Sequence, residues 1–197
     1  MSRAALAICL LIALPAESHP QPGGRTGIEG RWKTACVPIG KNDRHGFITT
    51  LEVRDDLFTA VSQLYAHSDC NTPTVRTHYS GRIHAALAHD GVIDVDHVVE
   101  SIRMTLDDAD VVEAYNKPGE GCGISGGWRL NTARPIDGRT CAPWTFPAAG
   151  TRLYERMWRT GDQLRIGSFP TVWTNTAPER RAATPGTLVF VRIGADR

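Results

Sequence analysis

The sequence predicts an all-β protein: a single antiparallel β-barrel of eight or more strands with one short inserted helix. Three observations carry that expectation. Short runs of alternating apolar and polar residues, bounded by turn residues, recur along the chain. Only one stretch has helical spacing. Four cysteines remain once an amino-terminal leader is set aside, enough for two disulfides.

The leader comes first. Arg3 supplies a positive start, residues 4–16 form an apolar run, and Ala16-Glu17-Ser18 places small residues where a signal peptidase reads. Residues 1–18 are expected to be a cleaved signal peptide. Cys9 raises a lipoprotein alternative, but bulky Ile8 precedes it and more apolar chain follows. Residues 19–27, rich in proline and glycine, read as a flexible lead-in, and residues 28–193 as the barrel domain. The expected location is periplasmic or secreted, with no transmembrane segment in the mature chain, because no other stretch approaches about 20 apolar residues. The formal net charge is +1. No basic cluster stands out, so neither nucleic acid nor an anionic membrane surface is an expected partner.

The strands follow in order. Residues 31–36 alternate, with Trp32, Thr34 and Cys36 on one face. Residues 46–54 set Phe47, Thr49, Leu51 and Val53 against Ile48, Thr50, Glu52 and Arg54. Asp55-Asp56 turns the chain and residues 57–66 return as a hairpin partner. Residues 74–86 are a long β-rich run with Gly81 as a bulge candidate. His89-Asp90-Gly91 signals another hairpin, and residues 91–95 and 98–106 read as two further strands. The pattern then changes. Asp107, Asp108 and Asp110 precede Val111-Val112-Glu113-Ala114-Tyr115, a helix near residues 108–117 with carboxylates at its positive end, stopped by Lys117-Pro118-Gly119. Short strands are expected at 128–131, 140–145, 151–159, 163–169 and 187–193.

Cys36, Cys70, Cys122 and Cys141 allow three connectivities. Nearest-neighbour pairing is the simplest, each loop worth about 3 kcal/mol in the chain-entropy account. A metal site would need a Cys-x-x-Cys pair, which the chain lacks.

Several of these landmarks occur in a particular order. Gly30-Arg31-Trp32 with Cys36 is followed by Tyr65-x-x-Ser68-Asp69-Cys70-x-x-Pro73 and by Gly81 after a β-run. Cys122-Gly123 with Trp128 and Cys141 comes next, then Gly161-Asp162-x-Leu164-x-x-Gly167. Over about residues 28–193 this order resembles the APC-down-regulated domain, the barrel repeated in the ectodomain of a vertebrate Wnt antagonist and found also in secreted bacterial proteins. The glycine-x-tryptophan opening is more distantly lipocalin-like. The resemblance implies a barrel that holds an apolar or lipid-like ligand, or docks a partner protein.

Each catalytic pattern has a plainer reading beside it. Gly123-Ile124-Ser125-Gly126-Gly127 fits Gly-x-Ser-x-Gly, but no strand-to-helix turn surrounds it, so a hydrolase using Ser125 is the less favoured alternative. His67 precedes a Ser-Asp-Cys turn yet lies only 58 positions from Ser125. His78 and His84, with His67, would suit a metal or haem, but Arg76 and Arg82 share their face and mark it as solvated. Asp94, Asp96 and Glu100 resemble an acid–base set for sugar hydrolysis, and Asp107, Asp108 and Asp110 resemble calcium ligands; strand faces and a helix cap account for them as well. No catalytic residue, metal or cofactor is expected. Aromatic residues carry the binding hypothesis. Trp32, Phe47, Phe58, Tyr65, Tyr79 and Trp158 are spread over five strands and line a ligand pocket if the barrel is wide, with Trp32 reading better as core. The leading function is therefore a non-enzymatic secreted protein binding an apolar or lipid-like small molecule. A filled barrel that docks a secreted or surface protein is the alternative.

Overall fold

The structure is a computed structural model that describes residues 27–124, 126–169 and 173–194. The leader, most of the lead-in and Ser125 lie outside the described residues. The strands are β1 (Gly30–Thr34), β2 (Val37–Ile39), β3 (His45–Arg54), β4 (Leu57–Tyr65), β5 (Pro73–His89), β6 (Val92–Leu106), β7 (Arg134–Pro135), β8 (Thr140–Cys141), β9 (Trp144–Thr145), β10 (Arg152–Thr160), β11 (Gln163–Ile166) and β12 (Val189–Ile193). The helix α1 is Ala109–Tyr115.

Eight strands close on themselves in the order β1-β3-β4-β5-β6-β10-β11-β12, every pairing antiparallel. Closure depends on β1, which pairs on both sides: Trp32 lies opposite Arg192 on β12 and opposite Leu51 on β3. A closed sheet has no free edge and turns every second side chain inward. The alternation read from the sequence produces that result. Trp32, Leu51, Phe58, Ile102, Leu153, Met157 and Phe190 are all fully buried.

The first strand carries its own lock. The Trp32 indole N–H donates to the Ile28 carbonyl at 2.7 Å. The Arg192 guanidinium lies 4.1 Å from the Trp32 ring centroid. The same guanidinium donates to the carbonyls of Glu29 at 2.7 Å and Gly27 at 3.0 Å. Gly30 has φ +112°, and a Cβ there would meet Arg192 Nη1 at 2.7 Å, so glycine is what lets the arginine lie across the strand.

Two departures from the sequence expectation have clear causes. Residues 91–95 and 98–106 form one 15-residue strand, β6. The polar run Asp94-Val95-Asp96-His97 looks like a break, yet it keeps strict alternation: Val95 and His97 are buried while Asp94 and Asp96 meet arginines on the outer face. Residues 128–131 form no strand and contribute only a single bridge from Leu130 to Leu106. The long hairpin β5–β6 shifts register at Ser80/Gly81 and again at Ile83/Ala85. At Gly81 a Cβ would lie 2.8 Å from the Val98 carbonyl and would collide with the Tyr79 hydroxyl. Glycine thus lets Tyr79 lie back along its own strand.

Residues between β6 and β10 form a cap. Asp108 accepts from the backbone N–H groups of Asp110 (2.8 Å) and Val111 (3.1 Å), starting α1 as a carboxylate N-cap should. The Asn116 side chain brackets the Trp128 backbone, donating to its carbonyl at 3.0 Å and accepting from its N–H at 2.9 Å. Tyr115 meets Trp128 edge-on, with centroids 5.5 Å apart. Cys122–Cys141 ties this cap to the β8–β9 hairpin, and Cys36–Cys70 ties the residue before β2 to the turn after β4. Both disulfides thus join nearest neighbours in the sequence. No helix among the described residues is long and apolar enough to cross a membrane.

Replacing Arg192 by alanine removes the ring contact and leaves two strand-end carbonyls without their donor. The expected loss is about 3 kcal/mol of unfolding free energy, read as a lower urea midpoint with an unchanged slope. A midpoint within error of wild type would show that the clamp does not stabilise closure.

Candidate functional site

The barrel is solid for most of its length and hollow at one end. The hollow end is where β3 begins and β4 ends. There a half-open cavity of about 370 Å³ is lined by Phe47, Leu64, Tyr79, Phe146, Phe169 and Trp173. Each wall has a local origin. Phe47 and Tyr79 are inward positions of β3 and β5, both buried. Leu64 lies opposite Phe47 in the β3–β4 ladder. Trp144 and Phe146 come from the β8–β9 hairpin, held over the mouth by Cys122–Cys141. The opposite rim, Ile39 to His45, is anchored by Cys36–Cys70. The crowding there is close enough that a Cβ on Gly46 would lie 2.6 Å from Cys70 Sγ.

The floor is a stack of rings. Phe169 stands 5.2 Å from Tyr79, 5.2 Å from Phe58 and 5.1 Å from Trp173, all centroid to centroid. These edge and tilted contacts suit the aromatic quadrupole. Few polar atoms reach the cavity. The Ser62 hydroxyl already pairs with Thr49 at 2.8 Å, and His45 Nδ1 sits 2.9 Å from the Ala66 carbonyl. The Thr77 hydroxyl has no partner among the described residues.

Beneath the floor lies a sealed polar layer. The Tyr79 hydroxyl is 2.6 Å from His97 Nδ1, and His97 Nε2 has no partner among the described residues. Both side chains are buried. Glu155, an inward position on β10 that is 1% exposed, accepts from Asn175 Nδ2 at 2.5 Å and from the Ser168 N–H at 3.4 Å. Asn175 also donates to the Tyr154 carbonyl at 3.0 Å. Glu155 thereby holds both Ser168 and Asn175, close in the chain to the cavity rings Phe169 and Trp173 respectively. Burial pushes the Glu155 carboxyl up to about 8, against the lowering effect of its backbone and Asn175 donors. Burial pushes His97 down to about 3. Near neutral pH the layer is therefore uncharged on both sides, as a dry site demands.

Other residues considered from the sequence are placed elsewhere. Trp32 and Phe58 are core, Phe58 supporting the floor from below. Tyr65 is half-buried at the end of β4, where the β4–β5 register shifts. Trp158 alternates with inward Met157 and so faces outward, half-buried. Asp94 is gripped by Arg156 at 2.6 and 3.0 Å, which holds its carboxyl below the usual range, and Arg181 reaches both Asp94 and Asp96. Glu100 meets Arg82 at 2.9 Å on an exposed face. These carboxylates form a lattice with arginines on the outer wall. His78 and His84 are exposed, with one register shift between them and a second at His84 itself. No group of three metal-ligating side chains converges among the described residues. Ser125 lies outside them.

Glu155, Asn175 and the cavity residues Trp144, Phe146, Phe169 and Trp173 were not singled out by sequence. Glu155 had a signal, since Leu153-x-Glu155-x-Met157 places it on an apolar inward stripe. Trp144 lies in the two-residue β9, Phe169 lies beyond β11, which ends at Ile166 rather than at the expected residue 169, and Phe146, Trp173 and Asn175 lie outside the strands, so no periodicity marks them. No protein-family model matches the chain, and no curated protein matches it.

The buried pair fixes how stability varies with pH. Glu155 binds its proton more tightly folded than unfolded, so it favours folding at low pH and that contribution fades from about 4.5 to about 8. His97 binds its proton less tightly folded than unfolded, so its contribution grows from about 3 to about 6.5. The two slopes oppose between 4.5 and 6.5. Thermal melts should therefore show a plateau there and a decline from 6.5 to 8, of at most about 1.4 kcal/mol per pH unit. Glu155→Gln should abolish the alkaline decline and His97→Gln should flatten the acid limb. A decline that survives in Glu155→Gln would remove Glu155 as its source.

Proposed function

We propose that the protein is a non-enzymatic carrier that holds a small apolar or lipid-like ligand in the open end of its barrel. The cavity is the observation that carries this reading. Its volume of about 370 Å³ lies within the range of small-molecule sites, about 300–1,000 Å³, and its walls are chiefly aromatic and aliphatic. A barrel serving only as a docking surface has no need of a hollow end. The order of landmarks that resembles the APC-down-regulated domain supports the same reading. Two disulfides suit an oxidising compartment, in keeping with a periplasmic or secreted protein. The carboxylates Asp94, Asp96 and Glu100, which in sequence resemble an acid–base set, are engaged with arginines on the outer wall, away from the cavity, which favours binding over catalysis.

Native mass spectrometry of the protein purified from its own compartment, with disulfides intact, tests the proposal. A retained apolar small molecule, released on denaturation, is the expected result. A second sample carrying Leu64→Arg, which sets a charge against the cavity wall, should retain none and should bind an apolar fluorescent probe at least about tenfold more weakly. A clean apo mass together with no probe binding by the wild type would overturn the carrier reading in favour of a protein-interaction module.

A further inference from the structure

The cavity is short, closed below and walled by rings, and these features together narrow its occupant. Six aromatic side chains reach it: Phe47, Tyr79, Trp144, Phe146, Phe169 and Trp173. They belong to four separate parts of the chain, namely β3, β5, the β8–β9 hairpin with Phe146 just beyond it, and positions 169 and 173 beyond β11. Four of them, Tyr79, Phe146, Phe169 and Trp173, also pack on one another. Trp173 lies 5.6 Å from Tyr79 at an interplanar angle of 34°, and 5.9 Å from Phe146 at 54°. Each of these four rings therefore offers the cavity a face or an edge in a fixed orientation. A flat conjugated guest meets such walls with offset and edge-to-face contacts beyond its buried area, whereas a saturated chain gains area alone.

Depth points the same way. Along β4 the lining runs from Leu64 to Ala60, about 13 Å of strand. Below that level Phe58, Tyr79 and Phe169 close the bore, and beneath them the His97 and Glu155 layer fills it. A long acyl chain has no channel down the barrel axis and would have to leave its distal carbons in water.

Resting on the carrier reading, we infer that the ligand is a compact planar ring compound, aromatic or fused, rather than a long-chain lipid. The ring walls define its plane and the blocked bore sets its length. Trp173 is the specificity-determining residue: it contacts both the floor ring Tyr79 and the hairpin ring Phe146, and is itself half-buried.

Isothermal titration of the oxidised protein with two probes separates the alternatives. One is a naphthol; the other is decanol, with the same number of carbons and the same single hydroxyl. The naphthol should bind at least about tenfold more tightly than decanol. Trp173→Leu should shrink that ratio to about twofold or less, mainly by weakening the naphthol; Phe146→Leu, on the cap, should shrink it in the same direction and serves if the first variant does not fold. Decanol binding as tightly as the naphthol would overturn the ring inference while leaving a carrier of apolar ligands intact. Binding of neither probe at millimolar concentration would overturn the carrier reading itself.

Discussion

Barrel closure rests on Trp32 and Arg192. A sheet of this length closes only if its first and last strands find each other, and β1 is five residues long with a partner on each side. Ladder hydrogen bonds alone do not distinguish one register from another two residues away. The Trp32 ring, fixed by its bond to Ile28 and covered by Arg192, does so, because only one register brings the guanidinium over the ring and onto the Glu29 and Gly27 carbonyls at once. The clamp lies at the end of β3 remote from the cavity. The hollow end can consequently lack a packed core without loosening the closure.

Between the clamp and the cavity, the polar layer acts as a partition. A core made wholly of aliphatic residues would let a pocket deepen or shrink as side chains repack. The Tyr79–His97 pair and the Glu155–Asn175 pair fix directions that apolar packing leaves free, and they do so at positions held by strands β5, β6 and β10. The rings above them inherit that fixed geometry, Tyr79 directly and Phe169 through its neighbour Ser168, whose N–H donates to Glu155. Defined wall orientations in the aromatic cavity thus follow in part from His97 and Glu155, which lie buried beneath its floor and do not line it.

The barrel was legible because period-two alternation and turn residues are local signals, and β3, β4, β10 and α1 emerge close to their expected bounds. The break expected near Val95–Val98 was misplaced because two aspartates in a row of alternation look like a turn until the arginines that face them are known. Arg156 and Arg181 are 62 and 85 positions away from their partners, and no local reading brings them together. The cavity was legible only in part. Phe47 and Tyr79 sit on readable strands. Phe146, Phe169 and Trp173 lie outside the strands, Phe146 just past the hairpin that Cys122–Cys141 ties down, and Phe169 and Trp173 close in sequence to Ser168 and Asn175, the donors to Glu155. Trp158 shows the converse: its strand is readable, but which face turns inward is decided by the whole barrel.

The placement of the two disulfides has a consequence for the life history of the molecule. Neither crosses the β1–β12 seam; one secures the rim before β3 and the other the aromatic hairpin above it. Covalent reinforcement is thus concentrated at the aperture, where packing is thinnest, and withheld from the wall, where packing suffices. A nascent chain in a reducing compartment can assemble its wall yet lacks a secured aperture. Oxidation of the two cysteine pairs then completes the aperture, so that the shape of the open end depends on the redox state of its surroundings while the wall does not.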